Sequence, residues 1–126
     1  MEEQALDKFG KMLMEKVRDM SIGEWDDVVN GKMKAPVLVE LYEELASSFD
    51  KEQLNILSNL IPQIVDTTLH YTLACLEEEK DDVKVSVQVD QGTVDDLVEA
   101  SDGLAGELYT EDGWIARFSK ERHYPS

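Results

Sequence analysis

Val83-Lys84-Val85-Ser86-Val87-Gln88-Val89 is the stretch on which the fold class turns. Apolar and polar residues alternate over its whole length, so one face is valine and the other polar, the pattern of a half-buried strand. The apolar residues before it recur instead at steps of three and four. A chain whose period changes once, helices first and strands after, predicts an α+β fold rather than a parallel α/β sheet.

Upstream of that stretch, Ala5, Leu6, Phe9, Met12, Leu13, Val17 and Met20 predict a helix over 2–20. Glu2 and Glu3 lie at its positive dipole end, where acids are favoured. Ser21-x-x-Glu24 has capping-box spacing and predicts a second, short helix of about 22–30, ended by Asn30-Gly31. Pro36 suits the first turn of a third helix with Val37, Leu38, Leu41, Tyr42 and Leu45 as its stripe. Asp50-x-x-Gln53 opens a fourth helical region of about 51–79. Pro62 lacks an N–H and clashes with the carbonyl four residues back, at Ser58, so a kink or a junction of two helices is expected near 58–62.

Downstream, Gln91-Gly92 turns the chain and Thr93-x-x-Asp96 caps a short helix of about 94–100. Glu107–Thr110 and Trp114–Phe118 read as two further strands, joined by a loop whose Gly113 would supply a positive φ. Lys120–Ser126 reads as a frayed polar tail. The expected architecture is a single domain over residues 1–126, with three or four N-terminal helices packed on a small, mostly antiparallel sheet of about three strands.

Charge narrows the function more than motifs do. The 126 residues carry 12 basic and 28 acidic side chains, a formal charge of −16. Duplex nucleic acid and anionic membrane surfaces both need clustered Lys and Arg, so neither is an expected partner. No apolar run reaches the ~18 residues of a membrane span. Cys75 is the single cysteine, and burial in its apolar run would leave the thiol unreactive. With no basic, apolar leader at the N-terminus, the cytoplasm is the expected location.

From Glu77 to Asp112 there are 13 acids against Lys80 and Lys84. Such a field steers a basic partner and speeds encounter, although an acidic surface is more often only a solvated one. Glu77, Glu78, Asp81, Asp82, Asp95 and Asp96 are the acidic interaction candidates. Trp25, Tyr109 and Trp114 join them, because exposed aromatics are enriched at interface hot spots; the competing reading is that the tryptophans are core. Asp66 and His70 lie four apart on one helix face, where a carboxylate can orient an imidazole for metal binding or base catalysis. A third ligand is missing from that pattern, so a His satisfied by its neighbour competes with it. Nucleophile-elbow, Walker and dinucleotide glycine motifs are absent, and no cofactor is implied.

The run from Ser101 to Arg122, with the helix His70–Glu79, resembles small acidic bacterial proteins of uncharacterised function over roughly residues 66–126. The resemblance implies a bacterial, intracellular origin and brings no activity, cofactor or catalytic residue with it. The reading that results is a non-enzymatic acidic protein-binding domain that engages a basic protein, with a homodimer also open. The alternative is a small enzyme or metal-binding protein with its site around Asp66 and His70.

Overall fold

The structure is a computed structural model that describes residues 1–123. It is α+β: helices packed on a small antiparallel sheet. In chain order come α1 (Glu2–Leu13), a π turn (Met14–Arg18), α2 (Asp19–Val29), α3 (Pro36–Ser48), α4 (Lys51–Ser58) and α5 (Leu60–Glu78). Then follow β1 (Val87–Val89), β2 (Gly92–Val94), a 3₁₀ turn (Ala105–Leu108) and α6 (Trp114–Phe118).

The first helix does not stop at Ser21. α1 runs through the π turn into α2 without a break, and the Ser21-x-x-Glu24 box goes unused. The π turn is closed by the Asp19 N–H donating to the Met14 carbonyl, five residues back. It explains a regularity: Gly10, Met14, Arg18 and Ile22, every fourth residue, are all buried. In an unbroken α-helix residues twelve apart are turned about 120° from each other. One extra residue wound into a π turn brings them back to within about 20°.

α2 ends as Asn30-Gly31 predicts. Gly31 has φ +73°, Lys32 N–H donates to Asp27 O and Gly31 N–H to Val28 O, the paired bonds of a Schellman motif. A Cβ on Gly31 would also lie 2.7 Å from the Tyr42 ring, so the closure seats α3. Pro36 occupies the first turn of α3. At α4, Gln53 N–H donates to Asp50 Oδ1 (2.8 Å) and Asp50 N–H to Gln53 Oε1 (2.9 Å), completing the box. The expected break falls between Ser58 and Leu60, with Pro62 in the first turn of α5. The Ser58 carbonyl that Pro62 cannot serve accepts instead from Arg122 Nη2 at 2.9 Å.

Beyond α5 the expectation is only partly met. Val85, Val87 and Val89 are half-buried and their neighbours more exposed, so period two holds. The ladder is nevertheless short: Val87 pairs with Val94, Gln88 with Thr93 and Val89 with Gly92. The sheet has two strands, not three. Val85 O is taken by Leu97 N–H (2.9 Å); of the residues expected to form a helix at 94–100, Val94 ends β2 and 97–100 form turns. The expected strands at 107–110 and 114–118 do not form: Glu107 and Leu108 close the 3₁₀ turn, Tyr109 and Thr110 lie in a bend, and 114–118 is the short helix α6. Leu104, Ala105 and Leu108 repeat at i, i+1, i+4, and so do Trp114, Ile115 and Phe118, which puts each set on one side of a turn. The positive φ falls on Thr110 (+73°), not on Gly113. Gly113 is required for room, because a Cβ there would sit 1.8 Å from Tyr109 O.

The core joins Ala5 and Met14 of the first helix, Leu69 and Leu73 of α5, and Val94, Leu97, Leu104, Leu108, Trp114 and Ile115. Trp114 lies over Gly10 and meets Phe9 edge-on, with ring centroids 6.0 Å apart. Its Nε1–H has no hydrogen-bond partner among the described residues.

Candidate functional site

Arg18 is wholly buried and all five of its N–H bonds are used. Nε and Nη2 donate to the two Asp66 oxygens (2.6 and 3.1 Å), Nη1 to Ser119 Oγ and Glu121 O, and Nη2 also to Arg122 O. Ser119 Oγ–H donates to Asp19, whose other oxygen accepts from Lys120 N–H. Arg122 forks onto Asp26 with bonds of 2.7 and 2.9 Å, which holds its guanidinium charged more firmly than usual. Residues 119–122 are therefore a strap tied across the first helix. The frayed-tail expectation fails for them, and 124–126 lie outside the described residues.

That network settles Asp66. Its carboxylate is spent on Arg18 and does not orient His70. His70 Nδ1 instead shares a 2.8 Å hydrogen bond with Tyr109 Oη. Burial raises the Tyr109 phenol above its ordinary pKa, and the Asp66 charge pushes the same way. Among the described residues no group of three His, Cys, Asp or Glu is placed to hold a metal ion.

The aromatic candidates separate. Trp114 is 1% exposed and is core, not surface. Trp25 and Tyr109 are exposed. Trp25 borders an apolar trough of about 630 Å³, with Leu13, Val17 and Ser21 on one wall and Ile61, Ile64, Val65, Thr68, Leu69 and Thr72 of α5 on the other. Leu13, Val17, Ser21 and Trp25 again step by four across the π turn, which aligns them into a single wall. Cys75 is exposed on α5, contrary to the burial expected of it.

The acids separate as well. Glu77 accepts from Ala105 N–H (2.8 Å) and so anchors the 3₁₀ turn. Asp96 pairs with Lys84 (3.2 Å); the hydrogen bond from Lys84 lowers its pKa. Glu78, Asp81, Asp82 and Asp95 are exposed. The fold adds a convergence that a count along the chain does not show. Glu2, Glu3 and Asp7 of α1 meet Glu107 and Asp112 around a cleft of about 640 Å³, floored by Leu6 and Ala100, with Arg117 as its one cation among the described residues. Arg117 donates to Asp7 at 2.7 Å. Burial holds the Glu107 carboxyl above the usual carboxylate range; Arg117 opposes this, while Asp7 and Asp102 reinforce it. Glu2 and Glu3 read from sequence only as helix-dipole acids. The available signal was their number, because two acids suffice for a dipole and Asp7 on the next turn is a third.

No helix among the described residues is long and apolar enough to cross a membrane. Comparison with family models, with curated proteins and with solved structures finds no match to this chain.

Proposed function

We propose that this chain is a non-enzymatic, acidic protein-binding domain that engages a basic partner. One observation carries the reading: acids from both ends of the chain converge on a single cleft, and Arg117, the one cation among its described lining residues, leaves them under-compensated. A Lys or Arg side chain laid there would rest its stem on Leu6 and Ala100 and put its head among carboxylates. The net charge of −16 steers such a partner toward the domain and repels acidic competitors. Contact with a second copy of the chain is a separate reading and concerns a different face.

Calorimetric titration with an arginine-rich peptide tests the cleft. Binding is expected to weaken by at least tenfold between about 50 and 500 mM salt, as screening demands. It should weaken comparably in the Glu3→Lys/Asp112→Lys double variant, in which both positions are exposed. Binding indifferent to salt, or to the charge reversal, would overturn the proposal.

A further inference from the structure

We infer that the apolar trough between the first helix and α5 is the face on which a second copy of this chain docks, two-fold related, with Ile64 of each copy entering the trough of the other. The inference goes beyond the acidic-cleft reading and uses a separate surface.

Charge is the first ground. Residues 60–76 carry one charged side chain, Asp66, in a chain with 40 of them. Asp66 is already committed to buried Arg18. None of the trough's described lining residues is charged. A basic helix laid in the trough would find no carboxylate in its lining to pair with. Two chains of −16 each repel wherever acidic faces meet, so an uncharged face is where copies can touch without opposing like charges.

Area is the second ground. Val17, Trp25, Leu60, Ile64 and Tyr71 are from 39 to 66% exposed. Leu60, Ile64 and Tyr71 share one side of α5 by their spacing of four and seven. At roughly 150–250 Å² for a large apolar side chain these five present on the order of 500 Å². The half-buried trough walls bring the patch toward the ~800 Å² per partner of a standard interface. Apolar exposure on that scale lies at the upper end of what a monomer presents, and such patches are often functional. A two-fold contact needs one self-complementary patch, and the trough supplies both the hollow and, in Ile64 at 62% exposure, the side chain to fill it.

Sedimentation of the whole chain between about 5 and 200 µM tests this. A dimer is expected, and its affinity should rise with salt, because screening relieves repulsion between like-charged copies. That is opposite in sign to binding of a basic peptide, so either proposal can fail while the other stands. Ile64→Asp sets two carboxylates across the two-fold and should weaken the dimer by at least tenfold. Val37→Asp, 69% exposed on α3 and off the trough, should leave it unchanged. If circular dichroism shows Ile64→Asp unfolded, Thr68→Asp at an exposed lining position gives the same reading. A monomer at every concentration and salt, or a dimer indifferent to the aspartate, would overturn the inference.

Discussion

The α3–α4 arm, residues 36–58, and the segment 94–118 are of nearly equal length and opposite character. The arm is almost wholly helical, yet none of its described residues is buried. The later segment has only two short helical turns after β2, yet it supplies Val94, Leu97, Leu104, Ala105, Leu108, Trp114 and Ile115 to the core. Regular secondary structure and membership of the core are therefore separate properties here. The arm is organised by local devices: Pro36, the Asp50–Gln53 box and the Gly31 closure. The later segment is organised by what it touches far away in sequence, such as Gly10 under Trp114 and Glu77 beneath Ala105.

The sharpest way to break that contrast is to truncate one large side chain in each region. Trp114→Ala removes a buried ring and should cost about 3–5 kcal/mol in urea denaturation. Val37→Ala in the arm should stay within about 0.5 kcal/mol. Equal shifts in the two midpoints would mean that the arm contributes to the core after all. Trp114→Phe should cost less than the alanine variant, since it keeps the edge contact with Phe9 and removes the unpartnered Nε1–H.

Next in size is the strap. Asp66→Ala leaves the fully buried Arg18 guanidinium without its carboxylate, a loss of about 3 kcal/mol or more. It should also loosen residues 119–122, since the same guanidinium holds Ser119 and the carbonyls of Glu121 and Arg122. Limited proteolysis should then cut beside Lys120 or Arg122 before it cuts the arm. If cleavage begins in α3–α4 instead, the strap is held chiefly by Asp19 and Asp26, and the Arg18 contribution is small.

The same division governs what could be read from sequence. Caps are local chemistry, so the starts of α3 and α4, the end of α2 and the break before Pro62 were all legible. Capping-box spacing at Ser21-x-x-Glu24 misled, because Ile22 continues the buried side of the first helix and the π turn keeps it in line with Gly10, Met14 and Arg18. Arg18 was invisible as a core residue: charge placed it on the surface, while its position midway between Met14 and Ile22 placed it inside. Around residues 107–118, aromatic and β-branched composition suggested strands, and the i, i+1, i+4 spacing of Trp114, Ile115 and Phe118 was the better guide. The acidic cleft needed the fold itself, since α1 and the segment around 107–112 are a hundred residues apart.

The smallest predicted effect sharpens the contrast on its electrostatic side. In the later segment even an acid is drawn partly into the packing, and Glu107 shows the cost. Burial raises its folded-state pKa above the ordinary value of the unfolded chain. Between those two values the folded protein binds more protons than the unfolded one, so stability falls as pH rises through that window. Above it, the ionised carboxylate is a standing penalty; below it, the penalty is gone. Glu107→Gln keeps the shape and removes the charge, so it should raise Tm slightly at about pH 7 and melt with the wild type once pH drops below the carboxylate range. Glu44→Gln, on the exposed side of α3, should change little at neutral pH. A lower Tm for Glu107→Gln at neutral pH would reverse the sign. Attraction to Arg117 would then outweigh burial and the repulsion from Asp7 and Asp102, and the cleft would hold less uncompensated charge than a basic partner needs.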